Sequence, residues 1–239
     1  ATPAIAHSAV LYVLRLLLAE DLPLNEGMLE HVKVHLPEGS LLSPDFSPPA
    51  ARAPAVVGGN VETSQRLVAV LLKALQLCAG SQATMNNVLF GNGQFGYYET
   101  VCGGTGAGPD FPGTDAVHSH MTNTRITDPE ILEFRYPVRV ERFAIRRGSG
   151  GRGRFSGGNG VIRELRFLAP VELSLLTQQR REGAYGLQGG QLGATGRQWI
   201  ERADGQRVEL SAIDGSSMCS GDRLILETPG GGGYGKEDG

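Results

Sequence analysis

The stretch VRVERFAIRRGSGGRGRFSGGNGVIRELRF, residues 138–167, decides how the chain is read. It holds two β-like runs rich in Val, Ile and Phe, separated by a segment of glycine and arginine that suits a turn rather than a helix. Working outward, the same alternation of short runs and glycine clusters continues from Thr84 to the end. Val138–Arg146, Val161–Leu168, Glu172–Thr177, Gln198–Glu201, Val208–Leu210 and Arg223–Thr228 all read as strands. Upstream the pattern changes. Leu11, Leu14, Leu17 and Leu18 recur at helical spacing within Ile5–Glu20, and Leu67 to Leu77 form a second dense apolar pattern, with Thr63 and Ser64 as caps and Gly80 as the stop. Val32–Leu36 alternates like a short strand, and Ser43–Pro54 is an extended, proline-rich connector. The expected fold is therefore α+β, with helices in the first 80 residues and a β-rich, glycine-rich C-terminal half forming a sandwich or barrel-like layer. Two segments follow, 1–83 and 84–239.

Composition excludes several classes. Of 239 residues, 40% are apolar and 20% charged, enough for a core and too few charges for a disordered chain. The 25 acidic and 22 basic residues leave a net charge of −3, which argues against nucleic acid as a partner. Three cysteines without a CxxC spacing argue against a disulfide framework and favour a reducing, cytoplasmic setting. Ile5–Ala19, interrupted by His7, Ser8 and Arg15, is too short and too polar for a membrane span and lacks the flanks of a secretory signal. Because that buried-helix pattern follows directly on Ala-Thr-Pro, the chain is expected to be part of a longer polypeptide.

Four constellations can carry chemistry. In His118-Ser119-His120 an extended backbone would point both imidazoles to one side, toward one metal or one water. Asp115, Asn123, Asp128 and Glu130 add polar groups nearby, although Asp128-Pro129-Glu130 equally suits a helix start. Gly91–Gly96 matches GxGxxG only superficially, since Asn86–Phe90 is a poor strand and no amphipathic helix follows. No P-loop occurs either, so any nucleotide is held elsewhere. The Gly103–Gly108 loop can still cradle an anion through free N–H groups, with Tyr97, Tyr98 and Glu99 lining a pocket or packing in the core. Arg146, Arg147, Arg152 and Arg154 can clamp a carboxylate or phosphate, or else pair with Glu141 and Glu164. The run Gly230–Gly233 calls for close backbone approach or unusual dihedrals, a free terminal linker being the alternative. Cys102, in a glycine-rich loop, is a weak nucleophile candidate.

The stretch DAVHSHMTNTRITDPEILEFRYPVRVERFAIRRGSGGRGRFSGGNGVIREL and the ending LETPGGGGYG resemble the hydantoinase B/5-oxoprolinase family, as do LPEGSLLSP, GGNVETSQRL and GLQGGQLGATG. The RRGSGGRGRF form is most similar to the ATP-dependent 5-oxoprolinase branch. The resemblance implies a hydrolase that opens a cyclic amide, 5-oxoproline to glutamate, as in glutathione metabolism. It further implies ATP with Mg bound on a hydantoinase A-like partner module, and an oligomeric complex. It makes His118, His120, Asp128 and Glu130 candidate catalytic residues, with the two histidines as candidate ligands of a divalent metal. Asn123, Arg125, Arg147 and Arg152 become candidate substrate-binding residues. The family's B module begins upstream with an Asn-Asp-Pro…Gly-Gly-Thr-His segment that this sequence does not contain, so the resemblance is to the C-terminal part of that module. A non-catalytic assembly module, or a component of a related hydantoinase or ketone carboxylase, is the alternative.

Overall fold

The computed structural model describes residues 1–18, 20–23 and 25–237. The stretch quoted above forms an antiparallel pair, β3 (Val138–Ile145) and β4 (Val161–Phe167), with a register shift between Val140 and Arg142. Along β4 the side chains of Val161, Arg163, Leu165 and Phe167 are buried while Ile162, Glu164 and Arg166 are half-exposed, the period of two that a sheet with one covered face requires. Strand β4 also pairs with β9 (Arg223–Glu227), which pairs with β6 (Arg197–Glu201), which pairs with β7 (Arg207–Glu209). The result is a five-stranded antiparallel sheet in the order β3-β4-β9-β6-β7.

A second antiparallel sheet runs β2-β1-β5-β8, from β1 (Asn86–Gly91), β2 (Gly96–Val101), β5 (Val171–Leu176) and β8 (Ile213–Met218). Only β5 of these was expected. The supposed poor strand at Asn86–Phe90 is the start of β1, and the GxGxxG match is the turn between β1 and β2, where Asn92 Oδ1 accepts the Gln94 N–H. Side-chain propensity is low in NNVLFG and IDGSSM, so their strand state comes from the neighbours they pair with. The inner faces share one core. Val88, Phe90, Leu173 and Leu175 pack in the same cluster as Leu165, Phe167, Ile200, Leu224 and Leu226. The Phe90 and Phe167 rings meet edge to face at 5.4 Å. Both sheets are open, so the layer is a sandwich and the barrel option falls away.

Chain compactness separates Ala1–Leu75 with His120–Thr122 from Gln76–Ser119 with the chain after Asn123. In the first unit, α1 (Pro3–Leu17) buries Ala6, Ala9 and Val13, and α2 (Gln65–Ala74) buries Val68, Ala69 and Leu72. A π-helical turn, Gly59–Ser64, leads into α2. Thr63 and Ser64 therefore lie inside helical backbone and back-bond to the carbonyls of Gly58 and Asn60 instead of capping. Helix α2 ends at Ala74, before Gly80, with Leu75 as its C-cap and Gln76 next in the left-handed region at φ +57°. Val32–Leu36 has the expected alternation of half-buried and exposed side chains, but it pairs with no strand among the described residues. Gln65 ties in the later segment, accepting the Met121 N–H at 3.0 Å and bonding the Thr122 hydroxyl. Among the described residues no helix is long and apolar enough to cross a membrane.

In the second unit the glycine run Gly230–Gly233 is a structural centre. Gly231 N–H donates to Gly158 O at 2.9 Å and Gly232 N–H to Gly80 O at 2.7 Å. The carbonyls of Gly231, Gly232 and Gly233 accept from Gly151, Ala107 and Leu187. Four separate stretches of backbone thus close around one extended strand of glycine. None of the four glycines has a left-handed φ, so close approach is what excludes side chains. A Cβ on Gly231 would stand 1.8 Å from Thr105 O. Free-linker behaviour is ruled out by this bonding.

Candidate functional site

The loop carrying the predicted catalytic residues leaves the glycine layer at Gly103 and ends at α3 (Pro129–Arg135). It is tied down at its middle. Asp115 Oδ1 accepts the Asn159 backbone N–H at 2.6 Å and its side-chain Nδ2 at 3.1 Å, and Asn159 Oδ1 in turn accepts the N–H groups of Ser149 and Gly150. Ala116 N–H donates to Asn159 O and Val117 N–H to Gly103 O. Asp115 thus serves as a clamp between the histidine loop and the arginine–glycine turn.

His118 follows this clamp directly. Its ring is half-buried, makes no hydrogen bond or ion pair among the described residues, and is held below the ordinary imidazole pKa by desolvation. At neutral pH it is an uncharged imidazole with a lone pair free to accept a proton. His120 belongs with the helical unit, where its ring meets Tyr12 edge-on at 6.1 Å and burial lowers its pKa to about 4. Its φ is +52°, so the extended backbone that would align the two imidazoles is not present at this residue.

Asn123 and Arg125 are exposed, and among the described residues neither side chain is hydrogen-bonded. Asp128 caps α3, its Oδ1 accepting the Glu130 N–H at 2.9 Å, with Pro129 in the first turn. Glu130 is exposed in that same turn, where a carboxylate complements the helix N-terminus. Among the described residues no group of three or more His, Cys, Asp or Glu side chains is placed to hold a metal ion.

The arginines divide. Arg147 lines an open groove of about 700 Å³ with Arg142, Arg146, Arg197, Ile162 and Glu227. Arg152 is exposed outside it, its backbone carbonyl accepting the Gln191 N–H, and Arg154 stacks on Phe155 at 5.7 Å. The predicted partners are taken by others, since Glu141 pairs with Arg166 at 2.6 Å and Glu164 with Arg142 at 3.8 Å. Arg146 instead meets Glu227 at 2.9 Å and donates to the carbonyls of Thr195 and Thr228. Arg197 also holds Glu227, at 2.7 Å. Of the four arginines lining the groove, Arg146 and Arg197 share Glu227 and Arg142 faces Glu164, which leaves a net positive groove suited to an anion. Arg142, Arg197 and Glu227 escaped the sequence reading because they come together only through strand register, in which Ile162, Glu227 and Arg197 align across β4, β9 and β6.

Other candidates resolve into structure. The N–H groups of residues 104–108 are all bonded, to Pro229 O, Thr114 O, Ser81 Oγ, Gly232 O and Phe111 O, so these five are not free to cradle an anion. Tyr97 and Glu99 are buried together, whereas Tyr98 is half-exposed and bonds Asn87. Cys102 is buried, and desolvation raises its thiol pKa, the opposite of an activated nucleophile.

Comparison with known proteins follows the same lines. The chain is 48% identical to 5-oxoprolinase 1 of Arabidopsis thaliana over 235 residues, 98% of this chain and 18% of that protein. The chain thus spans under a fifth of the length of that relative. Its fold matches an ATP-dependent caprolactamase from Pseudomonas jessenii with a TM-score of 0.72 at 23% identity, over 97% of this chain and 43% of that one. It also matches acetone carboxylase in its nucleotide-free structure, with a TM-score of 0.77 at 17% identity, over 98% and 37% of the two chains. The hydantoinase B/oxoprolinase family matches across residues 1–237, and the chain belongs to that family.

Proposed function

We propose that this chain is the C-terminal part of the B module of an ATP-dependent hydrolase that opens 5-oxoproline to glutamate. The observation that carries the reading is the 48% identity to a 5-oxoprolinase along 98% of the chain. ATP with Mg belongs to a hydantoinase A-like partner module, where it supplies activation of the lactam carbonyl oxygen. The N–H groups of residues 104–108 are taken by other segments of the chain and leave no phosphate cradle there. The remainder of the B module is the second partner. The complex acts as a cytoplasmic oligomer in glutathione metabolism.

Within that scheme the residues of this chain have separable tasks. His118, uncharged and with no competing partner, accepts a proton from the attacking water. The guanidinium of Arg147, which lines the positive groove, holds the substrate carboxylate, and the exposed side chains of Arg152, Asn123 and Arg125 are further candidate contacts to substrate. Asp128, which fixes the start of α3, and Glu130 are further catalytic candidates of the same unit, and His120, against Tyr12, is a candidate within the helical unit.

The test is turnover by the full-length protein with its partner module, offered 5-oxoproline, hydantoin, caprolactam, or acetone with bicarbonate, each with ATP. Selective glutamate release from 5-oxoproline supports the proposal. Bicarbonate-dependent consumption of acetone would replace it with the carboxylase reading. Unchanged turnover in His118→Ala and Arg147→Ala would make this part of the module an assembly element.

A further inference from the structure

Arg180, just after β5, is a half-buried cation whose Nη2 is fully buried and which has no acidic partner among the described residues. Burial, reinforced by the like charge of Arg146, lowers its pKa to about 9. Its Nε donates to Gln198 Oε1 at 2.7 Å and its Nη1 to Asn86 Oδ1 at 2.9 Å, with Gln178 O as a further acceptor. Gly196 makes room for it, since a Cβ there would lie 2.3 Å from Nη1. Two donors remain unused at this contact. Arg180 Nη2 is buried without an acceptor, and so is Nδ2 of Asn86, a residue with 0% exposure. The amide that satisfies one arm of the guanidinium therefore leaves its own N–H₂ unanswered beside an unanswered arm. Burying donors and a charge in this way is costly unless an acceptor carrying negative charge completes the set. Neither Arg180 nor Asn86 bonds a carboxylate among the described residues, the nearby Glu227 being held by Arg146 and Arg197, and an anionic acceptor would complete the set.

We propose that Arg180 and Asn86 form a buried receptor for one small anion, a halide or a single carboxylate oxygen. Gln198 and Gly196 position the guanidinium, and the two orphan donors contact the ion. Neither Arg147 nor the histidine loop contributes a hydrogen bond to this contact.

Crystals of the full-length protein grown in bromide, and separately in acetate or 5-oxoproline without halide, test this directly. An anomalous bromide peak in contact with Arg180 Nη2 and Asn86 Nδ2 identifies an inorganic anion. Carboxylate density on the same two atoms identifies an organic one. Water or protein on both atoms under all three conditions overturns the proposal. Thermal unfolding gives an independent reading. The wild-type midpoint should rise by several degrees with bromide beyond the effect of matched ionic strength. Asn86→Asp, which places a carboxylate against Arg180, should abolish that dependence and raise the midpoint in low halide. An equal bromide response in wild type and Asn86→Asp would contradict the proposal.

Discussion

Arg163 and Glu99 form an ion pair sealed inside the sandwich, with side chains 1% and 2% exposed and Nε–Oε1 and Nη2–Oε2 distances of 2.6 and 3.0 Å. The pair joins β4 of one sheet to β2 of the other. Tyr97 donates to Glu99 Oε2 at 2.8 Å, and Phe143 covers the guanidinium at 5.1 Å. Removing one partner strands a charge in low dielectric, whereas removing both need not. Glu99→Gln should cost about 3–5 kcal/mol in urea unfolding, and the double replacement Glu99→Leu with Arg163→Leu should cost less than Glu99→Gln alone.

What could be read from sequence followed side-chain chemistry, and what could not followed long-range pairing. β4 was legible because Val161, Leu165 and Phe167 alternate with polar residues; β1 and β8 were not, because Asn86, Asn87 and Gly215 have no strand preference of their own. The α3 start was readable from Asp128-Pro129-Glu130. The polar contacts of Arg180 were not legible, since its partners Asn86 and Gln198 lie 94 and 18 residues away.

The Asp115–Asn159 clamp should hold the histidine loop against the arginine–glycine turn. Asp115→Ala leaves Asn159 without its acceptor and should cost about 1–3 kcal/mol. Hydrogen exchange should accelerate at the amides of Asn159 and Ser149 while the β4 amides keep their protection.

The glycine layer makes a position-specific prediction. Gly231→Ala brings a Cβ into Thr105 O and should destabilise by more than about 4 kcal/mol, seen as loss of soluble folded protein. Gly93, with open space around it and no left-handed φ, should accept alanine within about 0.5 kcal/mol.

His120 predicts a pH dependence. Its folded pKa of about 4 lies below the ordinary 6.5, so the unfolded state binds the proton more tightly. The stabilisation is complete above pH 6.5 and is lost as pH falls toward 4, on the order of 3 kcal/mol in total. Denaturation of wild type against His120→Gln across that window should show the difference shrinking as pH falls.

The coupling of ATP to ring opening tests the central reading most directly. With the full-length protein and its partner module, glutamate and ADP should appear together from 5-oxoproline, and neither should accumulate when either substrate is withheld. Glutamate released without ATP, or ADP formed with the lactam left intact, would contradict the assignment of this chain to an ATP-dependent 5-oxoproline hydrolase.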